Sequence, residues 1–182
     1  MTDRETERGP RVESLYTIVR AREQDLRFLA EIELAAATLL ADHAPASVLG
    51  EITSEQDLRE AQGEGRLWIA LAGNTPVGFA HVEILGRRTA HLEEIDVHPD
   101  HGRRGLGSRL VRAVCEWALS SGYTEMTLTT FRDVPWNMPF YARLGFEEIP
   151  PAELTAELLA VVQDETRRGL GPVRRVVMRR RL

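Results

Sequence analysis

The chain has 182 residues, of which 43% are hydrophobic and 28% charged, which predicts one globular domain with a full core. Its formal net charge of −5 argues against a nucleic-acid-binding surface. All 23 basic residues are arginine, so a P-loop lysine, a lysine Schiff base and a pyridoxal phosphate linkage are excluded.

The N-terminal residues, the apolar runs and the cysteine content indicate in which cellular compartment the protein is expected. Residues 1–14 are polar and predict a flexible lead-in, with a single domain over residues 15–182. They contain no apolar signal-peptide core, and the sequence has no run long enough to span a membrane. Cys115 is the only cysteine, which is typical of a reducing compartment. We therefore expect a cytoplasmic protein that does not bind membranes.

The first half of the chain predicts a strand, two helices and then an antiparallel meander. Alternation and helical spacing indicate a strand at 16–20, a helix at 26–37, a loop at 42–50, a helix from Ser54 to Gly63, and strands at 66–72, 76–85 and 89–97. Gly73 and Asn74 fit the turn of a hairpin between the first two strands of the meander.

The second half alternates helices and strands. Helices are predicted at 105–121, 135–144 and 153–168, and strands at 125–131, 146–149 and 173–179. A meander followed by alternation is typical of an α/β fold in which a mixed sheet carries helices on both faces.

The segment His98-Pro99-Asp100-His101-Gly102-Arg103-Arg104-Gly105-Leu106-Gly107-Ser108 lies between a strand and a helix. Its glycines permit a tight turn and close approach of a ligand, and unpaired N–H groups at a helix start attract phosphate. A Walker loop would need a lysine, and a dinucleotide fingerprint would need glycine where Leu110 stands. A phosphate cradle or a simple strand-to-helix turn remains.

This segment and residues 127–146 resemble the GNAT superfamily of acetyl-CoA-dependent N-acyltransferases. The superfamily loop reads Gln/Arg-x-x-Gly-x-Gly/Ala; Gly105-Leu106-Gly107 matches its glycines, whereas Gly102 departs from its first position. The resemblance implies a largely antiparallel sheet of six to seven strands that splays open beside residues 127–131. It also implies that acetyl-CoA is bound mainly by backbone groups: its pyrophosphate by amides at Arg103, Arg104, Gly105, Leu106, Gly107 and Ser108, and its pantetheine by the backbone of Ile95 and Val97.

A second segment, Pro135 to Phe146, resembles the superfamily's other cofactor segment, which contains Asn, Tyr and Gly-Phe. Tyr141 occupies the tyrosine position, which implies a general acid that protonates the departing thiolate. The alternative is a core tyrosine on a short helix. Asn137 stands closer to the tyrosine than is usual, so it either contacts pantetheine or caps the helix.

A general base is expected on the strand before the glycine loop, because a protonated amine must lose a proton before it attacks a thioester. Strict alternation places His91 and Glu93 on one face and Glu94 and Asp96 on the other. Superfamily members carry bases at the positions of His91 and Glu93, so we expect Glu93, acting through water, with His91 as partner or substitute. A bulge would disturb this parity, and Glu94 stays open.

The remaining reactive side chains are assigned structural roles. Cys115 lies mid-helix among apolar residues and is expected in the core. His43, His98 and His101 lack ligand spacing, so no metal site is expected. The C-terminal arginines are predicted to guard a sheet edge.

The resemblance implies an N-acetyltransferase in which an amine attacks acetyl-CoA directly, without a covalent enzyme intermediate. A non-catalytic acyl-CoA-binding regulatory module is the alternative, and O-acetylation or a longer acyl donor also stays open. The acceptor is a small-molecule or peptide amine: an aminoglycoside, a polyamine, an amino acid or a protein N-terminus. A homodimer through the last helix and strand is also considered.

Overall fold

The computed structural model describes residues 15–171 and 174–182. The lead-in predicted at 1–14 and the first residue of the predicted last strand, 173, lie outside these ranges. One sheet of seven strands forms the centre, in the order β1-β2-β3-β4-β5-β7-β6. The strands are β1 (Tyr16–Arg20), β2 (Leu67–Ala72), β3 (Thr75–Ile84), β4 (Thr89–Val97), β5 (Glu125–Phe131), β6 (Glu147–Glu148) and β7 (Arg175–Arg181). The β4–β5 pair is parallel, and the other pairs are antiparallel.

Helices cover both faces of the sheet, as predicted. They are α1 (Leu29–Ala37), α2 (Ala46–Leu49), α3 (Glu55–Gly63), α4 (Leu106–Ser120), α5 (Asn137–Arg143) and α6 (Ala156–Arg167). One core forms under α4 and α5, around Leu110, Val114 and Tyr141, and a second forms under α1 and α3, around Leu29 and Phe79. None of the described helices combines the length and apolarity needed to cross a bilayer.

Three local predictions need correction. The first helix begins as a 3₁₀ segment, Glu23–Phe28, and becomes α-helical only at Leu29. The predicted loop at 42–50 contains the four-residue helix α2, which starts directly after Pro45 because proline is tolerated at a helix start. The C-terminal arginines do not guard an edge strand, since β7 lies between β5 and the short β6.

The sheet opens between β4 and β5. Their ladder runs from the Thr89–Glu125 pair to the Leu92–Leu128 pair, although β4 continues to Val97 and β5 to Phe131. Beyond Leu92 the two strands diverge, as the resemblance implied, and the edge of β4 faces the gap.

A β-bulge interrupts β4 just where the gap begins. On β3, His81 pairs with Glu94 and the next residue, Val82, pairs with Leu92, so Glu93 is the extra residue. The apolar residues that pack toward α4 record the shift, because they occur with spacings of two, three and two, at Ala90, Leu92, Ile95 and Val97. A bulge therefore reverses the facing of every β4 residue beyond it.

Candidate active site

The glycine loop delivers unpaired amides at the start of α4. Gly105 caps the helix with φ +77°, a left-handed conformation that glycine adopts without steric cost. Within the helix, the N–H of Arg109 bonds the carbonyl of Gly105 at 3.1 Å, so the first-turn amides of Leu106, Gly107 and Ser108 precede the helical ladder. These are three of the residues predicted to hold pyrophosphate, and unpaired amides at a helix start are a general feature of anion sites.

Neighbouring contacts hold this loop in place. A Cβ on Gly107 would lie 3.3 Å from Cζ of Phe140, so the absence of a side chain lets α4 approach α5 closely. The hydroxyl of Tyr16 lies 3.0 Å from Nδ1 of His101, which ties the loop to β1. Arg103 and Arg104 remain exposed beside it.

A cavity of about 1550 Å³ extends from this loop through the gap in the sheet to α1 and the segment before α3. Its lining includes Arg103, Arg104 and Asn137 at one end, and Ile95 and Val97 along β4. Tyr141 also lines it, although α5 packs on the opposite face of the sheet from α1. The opening between β4 and β5 therefore lets a tyrosine from one face meet side chains from the other.

The bulge overturns the predicted separation of the β4 side chains. Because Glu93 is the extra residue, Glu94 and Asp96 turn to the same face as His81 and Glu93, and all four line the cavity. The three acids Glu93, Glu94 and Asp96 thus share one face, where the sequence predicted Glu93 opposite the other two.

Three carboxylates meet at the inner end of the cavity. Glu33, Glu94 and Asp96, hereafter the inner carboxylates, each place one oxygen within 4.8 Å of the others. Glu33 comes from α1, where its oxygens accept hydrogen bonds from the backbone N–H of Thr53 at 3.0 Å and from its hydroxyl at 3.1 Å. The sequence analysis missed Glu33, since no local pattern links α1 to β4.

Crowding of these acids changes their proton affinity. Burial, followed by the charge of Glu33, raises the pKa of Glu94 to about 7. Burial and the charges of Glu94 and Glu33 raise the pKa of Asp96 well above its usual range. Burial and the charges of Glu94 and Asp96 also raise the pKa of Tyr141, which keeps its phenol protonated. Glu94 is therefore suited to accept a proton near neutral pH, and Tyr141 to donate one.

His91 and Glu93 occupy different environments from the inner carboxylates. His91 is 1% exposed, its Nδ1 lies 2.8 Å from Oγ1 of Thr127, and burial lowers its pKa to about 4. Its Nε2 is 3.7 Å from a carboxylate oxygen of Glu93, whose side chain is 40% exposed. The predicted pair is brought together, with His91 neutral and buried behind Glu93.

Two other arginines that line the cavity, Arg168 and Arg175, already have acidic partners. Arg175 pairs with Glu165 at 2.6 Å and donates to the Thr129 hydroxyl at 2.7 Å. Arg168 pairs with Glu51 at 2.7 Å, which links the end of α6 to the residues after α2. In the described parts of the chain, no arginine forms an ion pair with the inner carboxylates.

Two minor assignments are also decided by the fold. Trp136 occupies the cap position of α5, so Asn137 does not cap this helix. Cys115 is buried, as predicted, and burial raises the pKa of its thiol to about 11.

Comparison with known proteins finds relatives that are N-acetyltransferases by name. N-acetyltransferase 8F1 of Rattus norvegicus is 30% identical over 96 residues, which are 50% of this chain and 43% of that protein. Glucosamine 6-phosphate N-acetyltransferase of Trypanosoma brucei brucei is 29% identical over 132 residues, which are 67% of this chain and 88% of that protein. The chain thus spans less than half of the first of these relatives.

Solved structures agree in fold. The PaiA N-acetyltransferase from Thermoplasma acidophilum, determined in complex with coenzyme A, superposes with a TM-score of 0.71 at 16% identity, covering 92% of this chain and 99% of that one. Residues 27–146 match the sequence model described as the Acetyltransferase (GNAT) family. With its splayed mixed sheet and glycine loop, the chain belongs to the GNAT acetyltransferase family.

Proposed function

We propose that this protein is an N-acetyltransferase that moves an acetyl group from acetyl-CoA to a primary amine by direct attack within a ternary complex. The observation that carries the proposal is the gap between β4 and β5. It joins the N-terminus of α4 to a site where Tyr141 and Glu94 line one cavity. A donor held at the helix start therefore has its acyl end between an acid and a base.

The proposed donor site uses mainly backbone groups. The amides of Leu106, Gly107 and Ser108, with the charges of Arg103 and Arg104, would hold the pyrophosphate. The exposed edge of β4 at Ile95 and Val97 would bind pantetheine as a strand edge binds an extended chain, with Asn137 across the gap. Complexes of structural neighbours with coenzyme A support this use of the fold.

The proposed reaction needs three proton transfers. The carboxylate of Glu94 accepts a proton from the acceptor ammonium, directly or through water, and the neutral amine attacks the thioester carbon. A backbone N–H at the gap, such as that of Val97, stabilises the oxyanion of the tetrahedral intermediate. The C–S bond then breaks as Tyr141 donates its proton to the sulfur. The attacking nitrogen loses its second proton to the Tyr141 phenolate, directly or through water, and N-acetylated product and CoA-SH leave.

Glu94 replaces Glu93 as the favoured base because of position and proton affinity. Its pKa of about 7 matches a base that works at neutral pH, and its carboxylate belongs to the inner carboxylates near Tyr141. Glu93, backed by His91, remains the alternative. Cys115 is not proposed as a nucleophile, since a buried thiol with a pKa of about 11 supplies little thiolate.

The test measures thiol release from acetyl-CoA across a panel of amines. Tyr141→Phe should lower kcat by about 10²-fold with little change in CoA affinity, because it removes only the acid. Tyr123→Phe is the matched control, since Tyr123 packs on Trp117. Tight CoA binding without turnover of any amine would instead favour the non-catalytic acyl-CoA-binding module.

A further inference from the structure

The cavity has an apolar rim beyond the inner carboxylates. Leu39, Ile52 and Trp136, hereafter the apolar rim, are 53%, 48% and 48% exposed, and all three line the cavity. A single exposed apolar side chain needs no explanation, but a group around one cavity indicates a ligand that covers it.

The chain runs directly from the carboxylates to this rim. Glu33 and Ala37 lie one turn apart on α1, Leu39 lies in the 3₁₀ turn Thr38–Leu40 that follows, and all three line the cavity. The path from Glu33 to Leu39 is about 10 Å long at the rises of an α-helix and a 3₁₀ turn. Because Ala37 is small, the wall between the carboxylate and the leucine leaves room for a ligand.

Hydrogen bonds and a contact between two rings also hold the rim in place beside the inner carboxylates. The bonds from Thr53 to Glu33 anchor the segment that carries Ile52. On the other side, the ring of Trp136 contacts the ring of His43 with centroids 5.5 Å apart. The rim is therefore built into the fold next to the proposed site of proton transfer.

The inner carboxylates and the apolar rim differ in charge. The inner carboxylates lack an arginine ion pair among the described residues, whereas Arg168 and Arg175 are matched by Glu51 and Glu165. An ammonium group is attracted to the inner end, and hydrocarbon is favoured at the rim. We infer that the acceptor is a primary amine with a single ammonium group and an apolar body about 10 Å long that covers the rim.

This inference rests on the proposed function and goes beyond it by choosing among acceptor classes. An acceptor that carries a phosphate, as the name of the Trypanosoma relative specifies, would bring its anion toward the inner carboxylates, which have no arginine ion pair among the described residues. A diamine would place its second ammonium against Leu39 and Ile52, whose side chains offer no hydrogen-bond acceptor, while the neighbouring Glu51 is already paired with Arg168. A peptide would bury backbone amides against hydrocarbon.

A matched pair of amines tests the inference. n-Hexylamine and 1,6-diaminohexane have the same carbon chain and differ only in the second amino group. Binding is measured by calorimetry with CoA present, and turnover by thiol release. We expect n-hexylamine to bind at least about tenfold more tightly, since the diamine must desolvate a charge at the rim. Equal or tighter binding of the diamine, of glucosamine 6-phosphate or of an alanine-terminated peptide overturns the inference.

A pair of variants on one helical segment locates the apolar body. Leu39→Ser should raise KM for n-hexylamine about fivefold to tenfold while kcat changes little, because hydrocarbon contact is lost at the rim. Leu34→Ser is the control, since Leu34 is 44% exposed on α1 but is not part of the cavity lining. Equal effects of the two variants, or no effect of Leu39→Ser, overturn the placement.

The two proposals fail in different ways. Acetylation of a diamine or a phosphorylated amine in preference to n-hexylamine overturns the acceptor class and leaves acetyl transfer intact. Selective binding of n-hexylamine without turnover of any amine overturns acetyl transfer and supports the apolar acceptor site.

Discussion

The two ends of the cavity are built in different ways. The end at α4 consists mainly of consecutive residues, in which a left-handed glycine opens a helix and exposes its first amides. The end at the inner carboxylates takes Glu33 from α1, Glu94 and Asp96 from β4, and Tyr141 from α5. The first depends on backbone geometry and the second on side chains far apart in sequence. Substitutions at the two ends should therefore separate donor binding from chemistry.

The largest effect is expected from Glu94→Gln. Removal of the base should lower kcat by about 10²- to 10³-fold while the Kd for CoA changes little. In the unsubstituted protein, kcat/KM should fall as pH drops below about 7, because Glu94 with a pKa of about 7 must be ionised to accept a proton. Initial rates from pH 5.5 to pH 9, with Kd measured separately, provide the check.

Glu93→Gln is the matched control for this prediction, since it removes the adjacent carboxylate outside the inner cluster. It should retain most of the activity, and its pH profile should shift slightly to lower pH, because the charge of Glu93 helps to raise the pKa of Glu94. A larger loss for Glu93→Gln than for Glu94→Gln would assign the base to Glu93 and His91.

An intermediate effect is expected at the opposite end of the cavity. The double substitution Arg103→Asn and Arg104→Ser should raise the Kd for CoA about tenfold, with a smaller difference at high salt. Asparagine is chosen at position 103 because Arg103 has φ +54°, which asparagine tolerates. Calorimetry at two salt concentrations is the measurement, and Arg112→Ser, exposed on α4, is the control. A loss of kcat at saturating CoA would contradict the separation of the two ends.

The smallest effect concerns stability. Glu94 has a pKa of about 7 in the fold and 4.5 as an isolated group, so its ionisation opposes folding increasingly as pH rises from 4.5 to 7. Glu94→Gln removes that penalty, which we place at roughly 3 kcal/mol at pH 8, and should raise Tm by about 9 °C. At pH 4, where Glu94 is protonated in both states, Tm should be unchanged.

Thermal unfolding at the two pH values measures this difference, with Glu116→Gln on the exposed side of α4 as control. A lower Tm for Glu94→Gln at pH 8 would mean that the carboxylate is stabilised by contacts stronger than its repulsion from Glu33.

Local signals predicted the elements of the fold and the turn at the start of α4. Glycines, alternation and helical spacing are properties of neighbouring residues, so the loop at Gly105 was anticipated from them, whereas the opening beside β5 was implied by the family resemblance. Glu33 and Thr53 could not be paired with β4, because their contact depends on how α1 and α3 pack on the sheet. The bulge left a trace that simple alternation overlooks: the spacing of Ala90, Leu92, Ile95 and Val97.

The extra residue, Glu93, moves every later side chain of β4 to the opposite face of the sheet from the one that strict alternation assigns to it. Positions before it can be matched to relatives by counting, whereas positions after it keep their facing only in relatives that carry the same insertion. A role transferred to Glu94 or Asp96 from a strand without the bulge would assign it to the wrong side of the sheet. Deletion of one residue here would likewise turn Ile95 and Val97 toward the acceptor and withdraw the carboxylates from it.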